Sequence, residues 1–303
     1  MRLRALAPGK LNPCLLLDGP RADGRHELVT LLESVSLADE LELCTLTPGA
    51  SVQGDEVECP GVPGPNLVAR ALAGLRARGW SAPAVRIEIR KDIPVAAGMG
   101  GGSADAGAAL RLASEVASMT ADELDQVAAS LGADVPSQLA PGLALGTGAG
   151  EIVAPLAPLA AHAWLILPDP HPLSTADVYR EADRLGLPRG ARELSRRHQE
   201  LVSALKAGRR ERGVQLAPAL LVNDLEPAAR SLCPQIDAAL AAVLGAGAER
   251  ALVCGSGPTV AGLFWGEDGR ERAAAGAAAL AGQFPRARAA VPVGPAFGAP
   301  VRV

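Results

Sequence analysis

The chain has 303 residues, too many for one ordinary core and suited to two domains of roughly 150 residues each. Apolar residues make up 49 %, enough to build buried cores, and 29 Lys and Arg against 33 Asp and Glu leave a net charge of −4. That balance excludes a basic nucleic-acid binder and a general pull toward anionic membranes, so an anionic ligand must be held locally, by backbone amides and a few placed cations.

Short apolar runs at Leu3–Leu6 and Leu11–Leu17 flank a Pro8-Gly9-Lys10 break, and Leu28–Leu37 and Glu40–Leu46 read as two further strands. Asn66 precedes a helix in which Leu67, Ala71, Leu72 and Leu75 recur at helical spacing, with Gly79 as its stop. Ala84–Ile93 alternates, Val85, Ile87 and Ile89 on one face and Arg86, Glu88 and Arg90 on the other, which predicts a half-buried strand. A glycine-rich segment then leads into an Ala-rich helix over roughly Ser103–Ala117. Thr120-x-x-Glu123 opens the next helix as a capping box and Gly132 ends it. Around Leu143–Ala160 the chain turns rich in Gly, Pro and Ala, which places a boundary near residue 155 and divides the chain into 1–155 and 156–303. Beyond it, Ala163–Leu167 reads as a strand. Helices follow at about 175–186, 192–207, 234–244 and 267–282, with strands at 250–254, 259–265 and about 287–292. No fixed-period repeat is visible, and the mixed order predicts α+β domains.

The 5 cysteines contain no Cys-x-x-Cys pair, and His26, His162, His171 and His198 lack metal spacing. Neither a disulfide framework nor a zinc site is predicted, and a reducing cytoplasm is the expected compartment. The early break at Pro8-Gly9-Lys10 argues against an export signal. The best membrane candidate, Leu156–Leu167, is short and interrupted by Pro158 and His162. Lysine occurs only at Lys10, Lys91 and Lys206. In a chain that favours arginine so heavily, a lysine kept in an apolar segment marks a position to examine.

The loudest signal is Pro94-Val95-Ala96-Ala97-Gly98-Met99-Gly100-Gly101-Gly102-Ser103-Ala104, which joins the alternating strand to the Ala-rich helix. Clustered glycines let a backbone approach a ligand closely, and the helix that follows offers free N–H groups and the positive end of its dipole, a phosphate site in kind. Ser103 is expected to cap that helix and to offer a hydroxyl to phosphate or Mg²⁺. No lysine follows the glycines as a P-loop requires, and Ser103 stands where a dinucleotide fingerprint needs its third glycine. A flexible linker or a tight strand–helix turn is the bland alternative.

Two more motifs accompany the loop: Ala7-Pro8-Gly9-Lys10-Leu11-Asn12 near the N-terminus and Cys254-Gly255-Ser256-Gly257-Pro258-Thr259-Val260 near the C-terminus. On these three, in this order over about residues 7–264, the chain resembles the GHMP small-molecule kinases, the family of galactokinase, homoserine kinase and mevalonate kinase. Asp23-Gly24-Arg25-His26-Glu27-Leu28, Leu131-Gly132-Ala133-Asp134-Val135-Pro136 and Asn223-Asp224-Leu225-Glu226 are similar to the branch that acts on a cytidyl-diphospho polyol of isoprenoid synthesis. The resemblance implies an α+β, two-domain fold, with a ribosomal-S5-like N-terminal domain, a ferredoxin-like C-terminal domain and the active site in the cleft between them. It implies ATP and Mg²⁺, a small-molecule alcohol as acceptor, and neither nucleic acid nor membrane as partner; it leaves oligomeric state and the Mg²⁺ ligands open. A kinase for a homoserine- or mevalonate-like alcohol, and a non-catalytic nucleotide-binding regulator, stand as alternatives.

Phosphoryl transfer needs its phosphates held, developing charge stabilised and the hydroxyl relieved of its proton. By residue type and position, Asp134 also reads as a turn aspartate; the resemblance makes it the base, with Lys10 as the cation that stabilises alkoxide character. Asn12, two residues along an extended segment, points to the same side and is expected to bind substrate or phosphate. The resemblance further implies that His26 reads a cytosine ring sandwiched between aromatic rings. Arg25 stands where the first of these belongs and is expected to stack its guanidinium instead. Tyr179, four residues after Thr175, matches the second; its alternative is a core residue of its helix. Asn66 matches a position near adenine and reads equally as an N-cap. Gly255, Ser256 and Gly257 read either as a tight hairpin or as a wall beside the substrate phosphates. Met99 replaces a usual Leu at little change in volume, and Ala104 replaces a second Ser of the loop.

Overall fold

The computed structural model describes residues 1–46, 54–62, 64–169, 171–207 and 213–303. The N-terminal apolar runs form β1 (Arg2–Leu11) and β2 (Leu15–Pro20), and the segments expected as two strands form a single one, β3 (His26–Thr45). Along the first half of β3 both faces are buried, and from Val35 onward burial alternates. The strand is long enough to serve two sets of neighbours. Its first half pairs with β2 and with β6 (Leu143–Thr147), and its second half with β1 and with β5 (Val85–Arg90), all antiparallel. A short β4 (Glu56–Glu58) adds in parallel to β5, and β7 (Ile152–Pro155) pairs with β6.

The expected break at Pro8-Gly9-Lys10 is a shift of register inside β1. Pro8 pairs with Ala38 and Lys10 with Ser34, so β3 carries the extra residues. Proline has no N–H to give the ladder. Here the irregularity also frees the Lys10 N–H to donate to Met99 O at 2.9 Å, which ties β1 to the glycine-rich loop.

Three helices cover one face of this sheet: α1 (Leu67–Ala77), α2 (Gly101–Val116) and α3 (Ala121–Leu131). The alanines of α2, among them Ala106, Ala108, Ala109 and Ala113, are wholly buried; their small side chains let the helix lie close against the sheet and its neighbours. The Thr120–Glu123 capping box forms as predicted.

The second sheet comprises β8 (His162–Leu167), β9 (Arg250–Val253), β10 (Val260–Trp265) and β11 (Arg288–Ala290). Its antiparallel order is β11-β8-β10-β9. Numbered from its first strand that order is 4-1-3-2, the ferredoxin-like arrangement. Helices α4 (Thr175–Arg184), α5 (Ala191–Ala207), α6 (Glu226–Leu232) and α7 (Gln235–Gly245) fall between β8 and β9, and α8 (Gly269–Leu280) between β10 and β11.

The last residues return to the first sheet, where β12 (Val301–Arg302) pairs with β1. Val291 and Val293 also exchange backbone hydrogen bonds with Ser36 and Ser34 of β3. Between the sheets a buried carboxylate, Glu33 of β3, accepts from Trp164 Nε1 at 2.8 Å and lies 3.0 Å from His162 Nε2. The two sheets are therefore joined through backbone and side chains, with a cleft opening on the face where the glycine-rich segments meet.

Candidate active site

The glycine-rich loop leaves β5 and turns into α2 without a side-chain cap. Gly100, in the left-handed region at φ 65°, is the N-cap, and α2 begins at Gly101. This corrects the expectation for Ser103, which lies in the first turn and is not the cap. Glycine tolerates that conformation, so the helix starts two residues before the first side chain able to cap it. The Ala104 N–H bonds back to Gly100 O, while the N–H groups of Gly101, Gly102 and Ser103 precede the first intrahelical bond. All three residues line a cavity of about 500 Å³.

The second glycine turn, between β9 and β10, packs directly on the first. A Cβ at Gly98 would stand 2.1 Å from Cys254 O, and Gly98 has φ 76°, so both space and backbone demand glycine there. A Cβ at Gly255 would come within 3.0 Å of Lys10 Nζ. The two glycine segments and the end of β1 thus converge on one ammonium group.

Lys10 is buried, 5 % exposed, and its Nζ donates to Asn12 Oδ1 at 2.8 Å and to Gly98 O at 3.1 Å. Asp134 Oδ2 lies 3.6 Å away. Asp134 stands just beyond α3 in a short turn held by the Ser137 hydroxyl, which donates to Asp134 O at 2.7 Å. Asn12 is occupied within the protein: Lys10 takes its oxygen, and its nitrogen donates to Thr30 Oγ1 at 2.9 Å. It lines the cavity as well.

Asn66, Lys91 and Asp105 also line the cavity, as do Tyr179, Thr175 and Ser256. Asn66 caps α1, its Oδ1 accepting from Val68 N–H at 2.8 Å, so the N-cap reading holds, and it lines the cavity as well. Thr175 Oγ1 and Ser256 Oγ are 2.9 Å apart, which links the start of α4 to the second glycine turn. Burial, and then the charge of Asp134, push the Tyr179 hydroxyl up to about 12. His26 packs its ring 4.9 Å from that of Tyr179, and its Nε2 lies 2.8 Å from Asp183 Oδ1.

Not every predicted residue faces the cavity. Pro94 to Gly98 and Gly100 to Ser103 line it, whereas Met99 and Ala104 are buried beneath the loop and Gly257 lies behind Gly255 and Ser256. Arg25 does not reach it. Its guanidinium donates to Asp23 Oδ2 at 2.9–3.0 Å and faces Glu151 at 3.6 Å, so two carboxylates hold it at the surface.

Sequence reasoning missed a buried cluster beside the loop. Lys91 Nζ donates to Asp39 Oδ2 at 2.5 Å and to Asp105 Oδ2 at 2.7 Å, and Asp39 Oδ1 accepts from the N–H groups of Asp92 and Ile93. The scarcity of lysine was the available signal, since Lys10 and Lys91 both line the cavity. It also missed Thr30, and the part played by Asn223, whose amide donates to Val253 O and Gly255 O and so fastens the second glycine turn. Among the described residues no three His, Cys, Asp or Glu side chains gather as a metal cage, and no helix is long and apolar enough to cross a membrane.

A glycine loop at a helix N-terminus, a second glycine turn against it and a Lys–Asp pair between them define a small-molecule kinase site. Residues 66–142 match the GHMP kinases N terminal domain and residues 201–283 the GHMP kinases C terminal domain. The chain belongs to the GHMP kinase family, enzymes that transfer a phosphoryl group from ATP to a small-molecule alcohol. It is 42 % identical over 276 residues to a 4-diphosphocytidyl-2-C-methyl-D-erythritol kinase of Streptomyces coelicolor, covering 87 % of this chain and 88 % of that one. It is 41 % identical over 281 residues to the enzyme of the same name from Streptomyces avermitilis, covering 90 % and 92 %. A crystal structure of a 4-(cytidine 5'-diphospho)-2C-methyl-D-erythritol kinase superposes with a TM-score of 0.72 at 31 % identity, covering 96 % of this chain and 99 % of that one.

Proposed function

We propose that this kinase transfers the γ-phosphoryl group of ATP to the 2-hydroxyl of 4-(cytidine 5'-diphospho)-2-C-methyl-D-erythritol. The observation that carries the reading is the convergence of Lys10, Asp134 and both glycine turns on one cavity that Tyr179 also lines. The proposed division near residue 155 falls between β7 and β8, so that each domain supplies one glycine turn.

The free N–H groups of Gly101, Gly102 and Ser103 and the dipole of α2 bind the triphosphate. Asp134 accepts the proton of the acceptor hydroxyl as its oxygen bonds to the γ-phosphorus, and the bond to the β–γ bridging oxygen breaks to release ADP. Lys10 directs positive charge at the oxygen that loses its proton. Two carboxylates, Asp105 and Asp134, line the cavity, a number that suits Mg²⁺, which is usually held by one or two carboxylates together with substrate phosphates and water. The Ser103 hydroxyl on the cavity wall would be a further oxygen able to hold it, and the ion would supply neutralisation of charge on the phosphates.

The test is an assay of ADP release by the purified chain with ATP and Mg²⁺, offered the cytidyl substrate, homoserine or mevalonate. The expected result is ADP release dependent on the cytidyl compound. Preferential turnover of either small alcohol would overturn the substrate assignment, and no turnover of any would favour a nucleotide-binding regulator on this scaffold.

A further inference from the structure

We propose that Thr30 is a positioning residue for phosphoryl transfer: its hydroxyl holds the Asn12 amide in the orientation that presents oxygen to Lys10. The inference rests on the roles given above to Lys10 and Asp134.

An ammonium group has three N–H bonds to place. Lys10 gives one to Asn12 Oδ1 at 2.8 Å and one to Gly98 O at 3.1 Å, which leaves the third for the side on which Asp134 stands. The aim of that third bond depends on where the Asn12 oxygen sits. Asn12 is 5 % exposed and meets protein at both ends of its amide. Its Nδ2 donates to Thr30 Oγ1 at 2.9 Å, with a longer contact of 3.4 Å to Leu31 O. Thr30 Oγ1 in turn donates its own proton to Cys14 O at 2.8 Å, so it meets Asn12 with a lone pair. A reversed amide would set NH₂ against the ammonium, bring its oxygen toward the Leu31 carbonyl, and draw the Thr30 hydroxyl proton away from Cys14 O.

Thr30 is 3 % exposed, and no sequence motif marks it; it lies beside Asn12 because β3 pairs with β1 as far as Leu11 and with β2 from Leu15. Removing its hydroxyl leaves the amide nitrogen with the long Leu31 contact alone. Cys14 O stays satisfied, since it also accepts from Leu31 N–H at 2.8 Å. Thr30→Val therefore loosens Asn12 without leaving a bare carbonyl in the core.

The experiment is steady-state kinetics with ATP and the cytidyl substrate on Thr30→Val, Thr30→Ser, Asn12→Ala and the Asn12→Ala/Thr30→Val double variant. Thr30→Val is expected to lower kcat roughly 10- to 100-fold, the scale of a small misplacement of a reacting group, with KM for ATP within about twofold. Thr30→Ser restores most of the loss, and adding Thr30→Val to Asn12→Ala costs nothing further, because the two act through one contact. Unchanged kcat in Thr30→Val, a loss confined to KM for the cytidyl substrate, or losses that multiply in the double variant would each overturn the inference. If Thr30→Val does not fold, Thr30→Ala takes its place, read as turnover per folded molecule. Lys10→Ala and Asp134→Asn run alongside. If those two retain full turnover the catalytic assignment itself fails; if they are inactive while Thr30→Val is not, only the role of Thr30 does.

Discussion

Lys10 Nζ stands 3.6 Å from Asp134 Oδ2, too far for a strong ion pair and close enough for both groups to touch one oxygen placed between them. They arrive from separate parts of the chain, Lys10 at the end of β1 and Asp134 beyond α3, and Gly100 lies against both. Asp134→Asn keeps the size of the side chain and removes its ability to take a proton. It is expected to lower kcat by about 10²–10⁴-fold, the usual range for loss of a general base. Melting temperature and ATP binding should stay near those of the parent, and single-turnover kinetics is the measurement. Near-normal turnover would remove Asp134 from the proton transfer.

Tyr179 lines the cavity and packs its ring against His26. If it carries the cytosine, Tyr179→Ala removes a stacking face worth about 1–3 kcal/mol per base. Calorimetric titration should then show weaker binding of the cytidyl substrate with ATP binding unchanged. Equal losses for both ligands would make Tyr179 a packing residue of α4.

Arg25 stands where the family resemblance implies an aromatic ring, yet its guanidinium is drawn to Asp23 and Glu151 and away from the cavity. A side chain so exposed and so paired contributes little. Arg25→Ala is accordingly expected to change KM for the cytidyl substrate by less than about fivefold, and Arg25→Tyr to lower it by supplying the missing face. A large rise in KM for Arg25→Ala would show that the guanidinium leaves its carboxylates to stack on the base.

The motif at residues 94–104 was legible because a phosphate site calls for glycine and a helix start in one short stretch, and those at 7–12 and 254–260 were legible through the family that the three resemble in this order. Asp134 was legible only through its motif, since it carries no local signal that separates it from a turn aspartate, whereas Lys10 was marked also by the scarcity of lysine. Asp39 shows why the rest was hidden. A carboxylate in mid-strand reads as the end of a strand, and so β3 was divided in two at this point. Asp39 is instead fully buried, answered by Lys91 and by the N–H groups of Asp92 and Ile93, about fifty residues away. Thr30 was invisible for the same reason: its partners, Asn12 and Cys14, come from the neighbouring chain segment.

Asp105 shares Lys91 with Asp39, and both Asp105 and Lys91 line the cavity. Burial, with the charge of Asp39 adding to it and Lys91 only partly opposing, pushes its carboxyl up to about 7. The unfolded chain holds the same group near 4. Between about pH 4 and 7 the folded protein therefore keeps a proton that the unfolded chain has released, so stability falls as pH rises through that window, and the cost is complete above it. Asp105→Asn keeps the shape and cannot ionise. Thermal melts at about pH 5 and pH 8 should show the variant gaining on the parent as pH rises, with Lys91 still paired to Asp39. If the parent gains on the variant instead, the Lys91 contact holds Asp105 as a stabilising anion and burial is not the dominant influence on this carboxyl.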